Sequence, residues 1–97
     1  MFSKISIIGC GLIGSSILRA VEEKKLASKI SAYDKSPKVN DFLKKNFSAE
    51  ICNNISDVVK DSDLVIIASP LSSYKEILLS IQSNLKENVI LTDTGSA

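Results

Sequence analysis

The sequence predicts an α/β protein, an open and doubly wound parallel sheet of five strands covered by helices on both faces. Three observations predict it. Short β-branched runs alternate along the whole chain with longer segments of helical periodicity. One of those runs, Leu64-Val65-Ile66-Ile67-Ala68, has no polar alternation, which requires cover on both faces. A glycine-rich hexapeptide, Gly9-Cys10-Gly11-Leu12-Ile13-Gly14, joins the first run to the first helical segment, where a βαβ unit carries its ligand-binding turn.

The elements follow in order. Residues 5–8 form a buried strand that stops at Gly9. Residues 12–23 form a helix, with Ile13, Ile17, Ala20 and Val21 near helical spacing and a charged close at residues 22–25. Residues 30–33 form the second strand, ended by Asp34-Lys35-Ser36-Pro37. Residues 39–46 form a helix that turns Phe42 and Leu43 inward, and Ile51-Cys52 is a weak third strand. Residues 56–60 form a short helix with Ser56 at its N-cap. The fourth strand, residues 64–68, ends at Ser69-Pro70. Ser73 and Glu76 fit a capping box ahead of a helix with Ile77, Leu78 and Ile81 on its apolar stripe. Residues 89–92 complete the sheet. The expected strand order is 3-2-1-4-5 in a three-layer α/β/α arrangement, and residues 1–97 are read as one domain.

Composition narrows the function. Twelve basic and 11 acidic residues leave a net charge of +1, so no basic field exists to hold a nucleic acid. The longest stretch without a charged residue, residues 5–18 between Lys4 and Arg19, falls short of the roughly 18 residues of a membrane span. Glycines interrupt that stretch and no small-residue cleavage site follows it, which argues against a secretory signal. The two cysteines, Cys10 and Cys52, form no spaced framework and read as free thiols of a cytoplasmic protein. The chain has no histidine, so neither His-based acid–base catalysis nor a histidine metal site is available from it. No metal is expected.

The hexapeptide fits G-x-G-x-x-G, and each glycine has a task. Gly9 permits the tight turn, Gly11 lets a pyrophosphate approach the backbone, and Gly14 lets the helix pack closely on the strand. The helix N-terminus offers N–H groups and about half a positive charge to the anion. Asp34, at the end of the second strand and 20 residues beyond Gly14, sits where a carboxylate reaches the adenosine ribose. A carboxylate accepts from both ribose hydroxyls and repels a 2′-phosphate, so NAD is expected over NADP. Lys35 and Lys38 read as a solvated turn. Cys10 reads as a small apolar filler of the fingerprint. In a parallel sheet, ligands sit outside the carboxyl ends of the strands, which brings Ser69 and Pro70 to the nicotinamide side. The binding set is therefore Gly9, Cys10, Gly11, Leu12, Ile13, Gly14, Asp34, Ser69 and Pro70.

Four stretches carry a family resemblance: residues 7–16 (IIGCGLIGSS), Tyr33-Asp34, residues 63–70 (DLVIIASP) and residues 91–96 (LTDTGS). Together they resemble the N-terminal nucleotide-binding Rossmann domain of prephenate and arogenate dehydrogenases. The resemblance implies oxidative decarboxylation of prephenate or arogenate with hydride transfer to NAD, a step of tyrosine biosynthesis. It implies that Ser96 assists the substrate hydroxyl. It also implies a catalytic histidine and a helical C-terminal domain beyond Ser96, the latter closing the substrate cleft and forming a homodimer. Neither is in this sequence, so it is expected to be part of a longer enzyme and inactive alone. Two alternatives share the fingerprint: another NAD(P)-dependent hydroxyacid or imine dehydrogenase of the 6-phosphogluconate-dehydrogenase-like group, and a non-catalytic NAD-sensing regulatory domain.

Overall fold

A computed structural model describes residues 2–94. Strands β1 (Phe2–Ile8), β2 (Ala27–Tyr33), β3 (Glu50–Ile51), β4 (Leu64–Ile67) and β5 (Ile90–Asp93) form one sheet in the order β3-β2-β1-β4-β5. All four pairings are parallel. Helices α1 (Leu12–Lys24), α2 (Pro37–Asn46), α3 (Ile55–Val58) and α4 (Tyr74–Ile81) connect them. The expected topology is thus the observed one.

Side chains alternate across each strand, so the sheet feeds two cores. Ile5, Ile7 and Ala32 pack with Leu18 and Val21 of α1 and Leu43 of α2. Ile8, Val65 and Ile67 pack with Val58 and Val59 at α3 and with Ile77 and Ile81 of α4. β4 contributes to both sides, with Leu64 and Ile66 against the first core, which accounts for its unbroken apolar run. Two buried polar side chains, Ser6 and Ser62, meet in this interior. The Ser6 hydroxyl donates to the Val58 carbonyl and pairs with the Ser62 hydroxyl, so a buried polar group is satisfied while it ties α3 to β1.

Several boundaries differ from the sequence reading. β1 and β2 begin at Phe2 and Ala27, because the ladder extends through the polar pair Lys4 and Lys29. Pairing in the sheet overrides the weak local preference of Ser28 and Lys29. The cap of α3 is Asn54, whose Oδ1 accepts from the Ser56 N–H at 2.7 Å, so Ser56 lies within the helix. Ser73 forms no capping box. A 3-10 turn over Leu71–Ser73 runs directly into α4 and holds Ser73 in a helical conformation, with its N–H bonded to the Pro70 carbonyl at 2.9 Å. A cap of that kind needs extended backbone at the Ser. β5 starts at Ile90 and is an exposed edge. Among the described residues no helix is long and apolar enough to cross a membrane.

Candidate functional site

β1, β2 and β4 end at one level, with Ile8 opposite both Tyr33 and Ile67. The segments leaving these three strands therefore converge at the carboxyl edge of the sheet. Gly9 leaves β1 with φ +86°, a left-handed conformation that favours glycine, and donates its N–H to the Tyr33 carbonyl at 2.8 Å. A Cβ on Gly9 would overlap the Ser69 hydroxyl and lie 2.9 Å from the Ser69 nitrogen. A Cβ on Gly14 would overlap the Gly9 carbonyl oxygen, so α1 can press onto the turn only through a glycine. Gly11 is different. Nothing lies within 4 Å of the Cβ position there, and the residue caps α1 with no side-chain cap of its own. The first-turn N–H groups of the 13-residue helix are thus left for an anion.

Asp34 follows β2 and leans across to this turn. Its Oδ2 accepts from the Cys10 N–H at 2.8 Å and its Oδ1 from the Ser36 N–H at 2.8 Å. Each carboxylate oxygen keeps acceptor capacity, and no ion pair engages it among the described residues. A cavity of about 500 Å³ lies in front, bounded by Gly9, Gly11, Leu12, Ile13, Asp34, Ser69 and Pro70. Its far wall is α4, through Glu76, Ile77 and Ser80. Leu12 is 90% exposed, so its apolar side chain belongs to the cavity mouth and not to the core.

Cys10 contributes through its backbone. Its thiol is buried in the α1 core, 3.9 Å from the Tyr33 carbonyl, and is pushed up to about 12 by burial and then by the Asp34 charge. A thiol held protonated in this way is inert at neutral pH. Beside β5, the Tyr74 hydroxyl is pushed up to about 12, by burial first and then by its hydrogen bond to Asp93. Ser96, expected to assist substrate, lies outside the described residues.

Sequence reasoning missed Asn40. Its Oδ1 accepts from the Asp34 N–H at 3.0 Å and its Nδ2 donates to the Asp34 carbonyl at 2.7 Å. Its only sequence signal is an amide in the first turn after Pro37, a weak one. Glu76 was read as a helix cap and instead lines the cavity. A larger cavity, about 640 Å³, lies at the opposite edge among Lys4, Glu22, Lys29 and Glu50. Among the described residues no glycine turn or helix N-terminus lines it. Among the described residues no group of His, Cys, Asp or Glu gathers to hold a metal.

A glycine turn on a helix N-terminus, a strand-end carboxylate and an open cavity between them define a dinucleotide-binding Rossmann domain of the kind found in NAD(P)-dependent dehydrogenases. A family model described as NADP oxidoreductase, coenzyme F420-dependent, matches residues 4–96, and the chain belongs to that family. It is 37% identical over 97 residues to a cyclohexadienyl dehydrogenase of Zymomonas mobilis, covering 99% of this chain and 33% of that protein. It is 37% identical over 92 residues to an L-aspartate dehydrogenase of Methanocaldococcus jannaschii, covering 92% and 34%. Among solved structures it resembles the prephenate dehydrogenase of A. aeolicus in complex with hydroxyphenyl propionate and NAD+, with a TM-score of 0.84 at 24% identity, over 96% of this chain and 33% of that one. The chain thus spans about a third of the length of the curated relatives it matches.

Proposed function

We propose that this chain is the NAD-binding part of a dehydrogenase that oxidises and decarboxylates a cyclohexadienyl substrate, prephenate or arogenate. The observation that carries the cofactor choice is Asp34, whose two oxygens are aimed by the Cys10 and Ser36 N–H groups and engage no ion pair among the described residues. Such a carboxylate accepts from the 2′- and 3′-hydroxyls of a ribose, whereas a 2′-phosphate would meet like charge. The backbone around Gly11 and the α1 N-terminus take the pyrophosphate, and Ser69 with Pro70 borders the nicotinamide end. The substrate class rests on the resemblance of LTDTGS at residues 91–96 and on the cyclohexadienyl relative.

When bound, the nicotinamide supplies a hydride acceptor for the ring carbinol. The hydroxyl proton must pass to a base, and the carboxylate leaves as CO2 while its bonding electrons complete the aromatic ring. This chain has no histidine to serve as that base. In this reading the base lies in the remainder of a homodimeric, cytoplasmic enzyme of tyrosine synthesis, and Ser96 assists the substrate hydroxyl.

The equally identical aspartate dehydrogenase supports a second reading, an amino-acid dehydrogenase. NADH formation by the full-length protein with prephenate, arogenate and L-aspartate separates the two. Turnover with prephenate or arogenate is expected, and none with the 97-residue chain alone. A positioned base contributes about 10²–10⁴ in rate, and holding the reactants together contributes more. Turnover with aspartate alone overturns the substrate assignment. NAD binding without turnover on any substrate favours a sensor.

A further inference from the structure

We infer that Asn40 is a positioning residue that sets nucleotide choice, holding Asp34 in the one backbone geometry from which its carboxylate meets a ribose. The inference rests on reading Asp34 as the ribose acceptor.

The need for such a residue comes from the sheet. In a parallel ladder the N–H and C=O of one residue point to the same neighbour, and successive residues alternate sides. Tyr33 points to β1, giving its carbonyl to the Gly9 N–H. Ala32 points to β3, giving its carbonyl to the Cys52 N–H at 3.0 Å. Asp34 must therefore point to the β3 side, but β3 has ended and its chain has turned toward Asn54, the cap of α3. The Asn40 amide stands in for the missing strand, accepting at Oδ1 from the Asp34 N–H and donating from Nδ2 to the Asp34 carbonyl.

The helix explains how the side chain reaches. Asn40 lies in the first turn of α2, where its own N–H bonds the Ser36 carbonyl at 3.1 Å, and helical side chains lean toward the helix N-terminus. It is 7% exposed, so water does not substitute freely for either bond. An amide is the side chain with one donor and one acceptor in a plane, as the peptide edge of Asp34 requires. With that peptide fixed, the Cys10 and Ser36 N–H groups fix the carboxylate. Asp34 is then ordered before any ligand arrives, and no ordering cost is charged to binding.

Calorimetric titration of the 97-residue chain with NAD and with NADP tests this on wild type, Asn40→Ala, Asp34→Ala and the double variant. Asn40→Ala should weaken NAD about tenfold and NADP by less than about twofold, so that the preference between them collapses. In the Asp34→Ala background, Asn40→Ala should change NAD affinity by less than about twofold, because the two act as a unit. An equal loss for both nucleotides, no loss, or an undiminished loss in the double variant overturns the inference. If melting curves show Asn40→Ala unfolded, Asn40→Ser is read in its place against the same criteria. A wild type that does not bind NAD, or an Asp34→Ala that loses nothing, overturns the NAD reading itself and this inference with it. Loss on Asp34→Ala with none on Asn40→Ala sinks this inference alone.

Discussion

Both edges of the sheet hold a carboxylate that accepts from backbone N–H groups. At the carboxyl edge Asp34 takes the Cys10 and Ser36 amides. At the amino edge the Oδ2 of Asp63 takes the Ser3 N–H, at 2.5 Å, and the Lys4 N–H, at 3.3 Å, while its Oδ1 pairs with the Lys86 ammonium. The difference lies in the cation. Asp63 is neutralised by Lys86 and staples β1 to the segment leading into β5. Asp34 has the same kind of amide support with no ion pair among the described residues, and a cavity stands in front of it. A carboxylate already neutralised does structural work, and one aimed but left with acceptor capacity is ready for a ligand's hydroxyls. The cavities make the same point, since the larger one lies at the stapled edge without an anion-binding helix end.

The glycines offer the largest way to break this comparison. Gly14→Ala should lower stability by about 3 kcal/mol, because its Cβ meets the Gly9 carbonyl, a backbone atom that cannot step aside. Gly11→Val should leave stability within about 1 kcal/mol of wild type yet abolish nucleotide binding, because its side chain enters the open space proposed for the pyrophosphate. Urea unfolding and calorimetry on the two variants check this. Equal effects on stability would erase the distinction between packing glycine and binding glycine.

Asp34→Ala comes next. It removes the two charged hydrogen bonds proposed to reach the ribose, and NAD affinity should fall by about one to two orders of magnitude. Stability should change little by comparison.

Asp63 gives the smallest effect and the sharpest contrast in kind. Hydrogen bonding to Lys86, then to the Ser3 N–H, lowers its carboxyl from 3.8 to about 2. A folded-state value below the unfolded one contributes stability that is present above about pH 4 and lost as pH falls toward 2. Lys86→Ala should shrink this acid-labile part without touching NAD affinity. Thermal melts across that range, paired with titrations at pH 7, check both halves.

Much of this was legible in the sequence because it is written in strong local signals. The unbroken run at residues 64–68 announced a strand covered on both sides, and the strand order followed from the alternation and the glycine turn. Gly9 and Gly14 have the turn and packing tasks that their spacing indicated, and Gly11 faces open space. What was missed depends on tertiary partners. Ser73 looked like a cap because its neighbours fit the pattern, but the 3-10 turn after Pro70 had already committed its backbone. Ser28 and Lys29 join β2 only because β1 is alongside. Asn40 acquires its role only where β3 stops short, and nothing in the local sequence records where a neighbouring strand ends. Asp63 gave no sign of its clamp, since its partners lie 59 and 60 residues earlier and 23 later.

The central claim is that the two edges differ in function, and amide chemical-shift mapping tests it most directly. With NAD titrated into the isotope-labelled chain, the largest shifts should fall on Gly9, Gly11, Asp34 and Ser69 at the carboxyl edge, while Ser31, Glu50 and Asp61 around the amino-edge cavity stay still. Shifts concentrated at the amino edge, or none at either, would contradict the account.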